Sequence, residues 1–124
     1  MSDPRHALGL AVEAAVADWL ARAGWTIVAR RARSAGGGEV DIVAIDPKRI
    51  LVAVEVRARR HHRAGSAEES VDHRRIARMR RTLTTIAPVA PAHAGLRIDL
   101  VTAGPIHGDG ARWQLRRTAG IDAS

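Results

Sequence analysis

The chain has 124 residues, a length that fits one domain over 1–124, with its core over about 4–104 and a C-terminal strand and tail over 105–124. The absence of cysteine excludes disulfides and thiolate metal sites; apolar runs such as Ile50 to Val54 fall far short of the ~20 residues that span a bilayer, and the N-terminus lacks the layout of a signal peptide, so a cytoplasmic protein with no membrane partner is expected. Its 20 Lys plus Arg against 13 Asp plus Glu, a formal net charge of +7, favour a polyanionic partner, nucleic acid before others.

Asp3 as N-cap and Pro4 at the first helical position open a helix in which Leu8, Val12, Ala15, Val16, Trp19 and Leu20 recur at helical spacing. Gly24 supplies the left-handed residue that ends it, and the β-branched and aromatic content of residues 25–33 predicts a first strand. A glycine-rich loop over 34–38 follows. Two strand-like runs, 39–45 and 50–57, are joined by Asp46, Pro47, Lys48 and Arg49, a proline-containing turn that predicts an antiparallel hairpin. Ile76, Met79, Leu83 and Ile86 form the apolar stripe of a second helix that ends before Pro88. Its start is open, since Ser66, Ser70 and Asp72 are all able to cap it. Residues 96–103 read as a further strand, and Asp109-Gly110 as a turn into a short last strand over 112–117. The element order is αβββαββ, an α/β fold.

The central hairpin carries the chemistry, because side chains alternate between the two faces of a strand. Glu39 and Asp41 share a face with Val43 and Ile45, and Glu55 and Arg57 share one with Leu51 and Ala53. If the register brings both sets to one sheet face, the four charged residues meet at the end away from the turn. A slip of one residue sends the two carboxylates to opposite faces. Acids beside apolar strand residues need a cation or strong donors to offset their charge. An arginine ion pair is one answer. A hard divalent ion held by Asp41 and Glu55 is the other, with Mg²⁺ suited to one or two carboxylates plus waters and phosphate oxygens.

The residues also carry a family resemblance. Gly38-Glu39-Val40-Asp41-Ile42-Val43, followed by Val54-Glu55-Val56-Arg57, resembles the GEIDLI and VEVK signatures of the YraN-like endonuclease family, within the PD-(D/E)XK nuclease superfamily. Gly9 and Glu13 resemble that family's Gly-x-x-x-Glu, and Gly24-Trp25 its helix-to-strand junction. Gly65-Ser66, Val71 to Arg75 and Arg97-Ile98-Asp99 resemble its later elements, so the likeness covers roughly residues 8 to 103. It implies a restriction-endonuclease-like αβββαβ core, a mixed sheet flanked by helices, with the short C-terminal strand added. It further implies a metal-dependent nuclease that hydrolyses phosphodiester bonds of DNA. Its metal ligands would be Asp41, Glu55, the backbone carbonyl of Val56 and the helix-one acid Glu13, holding Mg²⁺ or alternatively Mn²⁺. Glu39 would orient its neighbours or pair with an arginine.

One position departs from the pattern: Arg57 stands where the family shows lysine. A planar, permanently charged guanidinium stabilises phosphate charge but is a poor proton carrier near neutral pH. The alternative reading is therefore a catalytically degenerate module that binds nucleic acid without cleaving it. Lys48 is the only lysine in the chain, so a general preference for arginine accounts equally for the replacement. Arg59, Arg60 and Arg63 after the acidic strand are candidate phosphate contacts, as are Arg74, Arg78 and Arg81 on one face of the second helix. No aromatic residues interleave them, which favours backbone recognition over base stacking. Gly36-Gly37-Gly38 leads into a strand and lacks a following Gly-Lys-Ser/Thr, unlike a phosphate-binding P-loop.

Overall fold

The computed structural model describes residues 4–35, 38–58, 72–106 and 109–122. Along the chain it forms α1 (Pro4–Arg22), β1 (Thr26–Ala32), β2 (Val40–Ile45), β3 (Ile50–Ala58), α2 (His73–Ile86), a 3₁₀ turn (Ala87–Val89), β4 (Gly95–Ile106) and β5 (Asp109–Thr118). The five strands make one mixed sheet in the order β1-β2-β3-β4-β5. Neighbours pair antiparallel except β3 and β4, which run parallel because α2 carries the chain back between them.

The two-residue period of the central strands sorts their side chains into two apolar layers. Val12, Val16, Ala17 and Leu20 of α1 cover Ile42, Ala44, Val52 and Val54 on one face. Met79 and Leu83 of α2 cover Val43, Ile45, Leu51, Ala53 and Ile98 on the other. Residues 51–55 of β3 are buried without a break, which explains why their sequence is almost continuously apolar. Among the described residues, no helix is long and apolar enough to cross a membrane.

The punctuation read from the sequence has clear structural causes. Gly24 takes φ +93°, its N–H donates to the Ala21 carbonyl (3.1 Å), and the Trp25 N–H donates to the Leu20 carbonyl (3.0 Å), a Schellman ending to α1. Asp46 Oδ1 accepts from the N–H groups of Lys48 and Ile50, both at 2.9 Å, and so closes the β2–β3 turn. Among the candidate caps of α2, Asp72 accepts from the Arg75 N–H at 2.8 Å. Asp3, Ser66 and Ser70 lie outside the described residues, as do Gly65 and Val71 of the family-like elements.

The C-terminal hairpin differs from the sequence reading. β4 continues past residue 103 through Gly104 and Pro105, and β5 begins at Asp109, so Asp109-Gly110 belongs to the strand and is not the turn. Gly104 and Pro105 look like strand breakers, but they lie at the far end of β4 beside a register irregularity, where such residues are tolerated. Asp99 fastens this half of the sheet. Its fully buried carboxylate accepts from Arg97 (2.7 and 3.0 Å), Arg117 (2.9 Å) and the Gly120 N–H (3.0 Å). No arginine of α2 takes part, and Arg117 also stands 5.2 Å from the centre of the Trp25 ring.

Replacing Asp99 leaves two arginines without their shared acceptor. Asp99→Ala is expected to lower stability by ~3–5 kcal/mol, the usual consequence of breaking a buried ion pair from one side. Urea denaturation at neutral pH measures it.

Candidate functional site

The two acids meet because of how the β2–β3 ladder ends. Its last cross-strand pair is Ile42 with Val54, so the same register sets Asp41 opposite Glu55. The next donor of β3, the Val56 N–H, donates at 2.8 Å to Asp41 Oδ2. A side chain thus takes the place of a strand carbonyl, and the Asp41 carboxyl is drawn into the gap between the two strands. There it shares a hydrogen bond with Glu55. The face-sharing that depended on register is realised.

Two carboxyl groups this close do not both ionise easily. Burial first, then the hydrogen bond and negative charge of Glu55, push Asp41 up to about 8. Burial alone would raise Glu55 as well, but the Arg75 hydrogen bonds, the Asp41 hydrogen bond and the charges of Arg75 and Arg57 outweigh it and hold Glu55 below its ordinary value. The pair therefore keeps one proton at neutral pH, on the Asp41 side.

Arg75 is the residue that the sequence reading did not assign to the centre. Its Nε donates to Glu55 Oε2 at 2.8 Å and its Nη2 to Oε1 at 3.1 Å, a two-pronged clamp on a side chain only 4% exposed. A signal was present, since residues 75, 79, 82, 83 and 86 follow the inward stripe of α2 while Arg74, Arg78 and Arg81 form the exposed face. Arg57 is a longer neighbour, with Nη2 3.5 Å from Glu55 Oε2 and a buried Nε that has no hydrogen-bond acceptor. Arg59, Arg60 and Arg63 lie outside the described residues, as do His61 and His62.

A pocket of about 250 Å³ opens beside Asp41 on the α1 side, lined in part by Gly9, Glu13, Arg31, Glu39 and Val56. Nothing approaches within 4 Å of where a Cβ at Gly9 would stand, so this glycine leaves the pocket unfilled. Glu13 is buried and accepts from Arg30 Nε at 3.3 Å and Nη2 at 3.1 Å. It lies near enough to add to the negative field at Asp41. Glu39 is bound by Arg33 (2.7 Å) and Arg31 (3.2 Å), which hold it below the usual carboxylate range against a smaller effect of burial. Among the described residues, no three His, Cys, Asp or Glu side chains converge as a metal-binding group. The centre is thus a pair of acids, with Glu13 and Glu39 at its margin and each engaged by arginine.

The loop before β2 is tied to α2. Thr82 Oγ1 donates to the Gly38 carbonyl at 2.8 Å and is 3.0 Å from Ser34 Oγ. A Cβ at Gly38 would lie 3.3 Å from Arg75 Nη1 and 3.4 Å from Arg78 Cβ, so glycine here lets the loop lie close to the basic helix.

The raised Asp41 has a consequence for stability. Its folded-state value lies above the ordinary 3.8, so the folded chain retains a proton that the unfolded chain releases. That contribution is complete below about pH 4 and is lost as pH rises through about 8. Glu55 acts in the opposite sense, but only on acidification below its ordinary 4.5. Asp41→Asn is therefore expected to be more stable than the wild type at pH 8.5 by ~1–3 kcal/mol, with a much smaller difference at pH 5. Chemical denaturation of both proteins at the two pH values measures it.

The sequence pattern of the family described as "Uncharacterised protein family UPF0102" matches residues 12–103. A UPF0102 protein of Anaeromyxobacter dehalogenans is 39% identical over 112 residues, covering 87% of this chain and 78% of that protein. A UPF0102 protein of Roseiflexus castenholzii is 39% identical over 103 residues, 82% of each chain. One from Deinococcus radiodurans is 47% identical over 73 residues, 59% of this chain and 58% of its own. The family match takes in the acid hairpin, α2 and most of β4, and leaves β5 outside. The chain belongs to the UPF0102 family, the YraN-like group to which its hairpin motifs pointed.

Proposed function

We propose that the protein is a divalent-metal-dependent nuclease of the PD-(D/E)XK type, with a restriction-endonuclease-like core, that hydrolyses phosphodiester bonds of DNA. The observation that carries this reading is the meeting of the Asp41 and Glu55 carboxyl groups where the β2–β3 ladder ends, with Asp41 lining an open pocket and Glu55 turned to α2. Two acids forced together and offset by a proton, the Arg75 clamp and the more distant Arg57 make a place where a hard cation would relieve the repulsion. Two carboxylates with the Val56 carbonyl and waters suit Mg²⁺, or Mn²⁺ in its place, and Glu13 is near enough to join through water. Such an ion supplies an acidified water and charge stabilisation for the phosphodiester.

The chain's own residues do the rest. Asp41 and Glu55 would hold the ion, and the Val56 N–H keeps Asp41 turned into the gap. Arg57, with an Nε that lacks an acceptor, is placed to stabilise negative charge on a phosphate oxygen. Its permanent charge suits that role and excludes proton transfer near neutral pH. The exposed Arg74, Arg78 and Arg81, and Arg59, Arg60 and Arg63 of the preceding segment, would hold the nucleic-acid backbone.

A second reading, a nuclease-like module that binds nucleic acid without cutting, draws support from the Arg75 clamp on both Glu55 oxygens and from Arg57 in the lysine position. The two part in one assay, in which purified protein is incubated with duplex, single-stranded and branched DNA, with and without Mg²⁺ or Mn²⁺. The nuclease reading expects metal-dependent products, their loss in Asp41→Ala by more than the ~10–100-fold typical of outer partners, and a gain in Arg57→Lys. Salt-sensitive binding without any metal-dependent product would favour the module. Equal cleavage by Asp41→Ala would assign the activity to a contaminant.

A further inference from the structure

The clamp on Glu55 bears on how such a centre is regulated. A carboxylate has about four lone-pair positions. Arg75 uses one on each oxygen, Asp41 uses another, and Arg57 approaches Oε2 from 3.5 Å. The Asp41 proton can leave when an ion arrives, but the guanidinium stays beside it. Like charges that share one partly buried carboxylate repel strongly. Arginine cannot relieve the conflict by deprotonating. It can only exchange Glu55 for another anion. A phosphodiester offers the same paired-oxygen geometry as a carboxylate.

The surroundings allow that exchange. The Arg75 side chain is 23% exposed and starts from the first turn of α2, with Arg74 and Arg78 exposed on either side of it. Its remaining nitrogen, Nη1, lies against Gly38, where the missing side chain leaves room for the guanidinium. A phosphate attracted by Arg74 and Arg78 would arrive next to the fork.

We propose that Arg75 is a resident cation that opposes a divalent ion at Glu55 until a nucleic-acid phosphate draws its guanidinium away, so that ion and nucleic acid bind cooperatively. The proposal rests on the reading of Asp41 and Glu55 as ion ligands. It makes Arg75 a coupling residue that weakens ion binding in the free protein. A purely supporting salt bridge, which holds Glu55 in position for the ion, has the opposite sign: its removal weakens ion binding.

Calorimetric titration of Ca²⁺, a hard cation with the same preference for oxygen, tests this at pH 8 on the full chain with and without a 20-base-pair DNA duplex, after subtraction of ion uptake by the duplex alone. In the wild type the duplex is expected to tighten Ca²⁺ binding by about tenfold or more, within the usual range of coupling between sites. Arg75→Gln is expected to bind Ca²⁺ more tightly than wild type without DNA and to lose the coupling. Weaker binding by Arg75→Gln, or coupling left intact, overturns the proposal while leaving the ion site standing. Ca²⁺ uptake that Asp41→Ala does not alter, in the wild-type and Arg75→Gln backgrounds alike, overturns the ion reading itself. Should Arg75→Gln fail to fold, the wild type still decides: the Arg75 Nε–H resonance in ¹⁵N-labelled protein must move when Ca²⁺ and duplex are added together, and a fixed resonance at saturation contradicts the exchange.

Discussion

The structure turns on the place where β2 and β3 stop pairing through their backbones. Up to Ile42 and Val54 the strands form an ordinary antiparallel ladder, and one residue later the Asp41 side chain accepts the hydrogen bond that a carbonyl would otherwise take. This substitution pulls an acid from the edge of one strand into contact with an acid on the next. The burial that makes the sheet stable also makes the contact unfavourable for two negative charges, so the centre holds a proton and a guanidinium. Its chemistry and its electrostatic strain share one origin.

Arginine runs through the rest of the architecture as the answer to buried and half-buried acids. Arg75 clamps Glu55, Arg30 holds Glu13, Arg31 and Arg33 hold Glu39, and Arg97 links Asp99 to Asp46. These pairs fall into two groups with different duties. The Asp46–Arg97–Asp99–Arg117 network joins the β2–β3 turn to the C-terminal strands, opens onto no pocket that involves Asp41, and acts in the fold. The acids that line the pocket are Glu13, Glu39 and Asp41, and of these Asp41 sits opposite Glu55. With so many local acceptors, a formal charge of +7 overstates the free positive surface, part of which lies along the exposed face of α2.

Much of this was legible in the sequence. Alternation along residues 39–45 and 50–57 is strong because each strand buries one wholly apolar face, and that fixed which side chains share a side. Gly24 and the Asp46 turn act within a few residues of themselves, so local chemistry revealed them. Arg75 was harder, because the same helix carries four other arginines between residues 73 and 86 and one partner of each inward contact lies on a distant strand. The extent of the C-terminal hairpin was hidden for a related reason: Gly104 and Pro105 are poor strand residues in isolation, and only pairing with β5 carries the strand through them. Local pattern therefore gave the hairpin and its acids, whereas tertiary pairing decided which arginine answers which acid.

As proposed, Asp41 and Glu55 would seat one hard divalent ion between them. A crystal of the full chain soaked in Mn²⁺, with anomalous difference density recorded at the manganese edge, tests it most directly. One strong peak is expected, about 2.0–2.3 Å from a carboxylate oxygen of each residue and from the Val56 carbonyl. A map with no peak between the two carboxylates at saturating Mn²⁺, with Arg75 still clamped on Glu55, would contradict it.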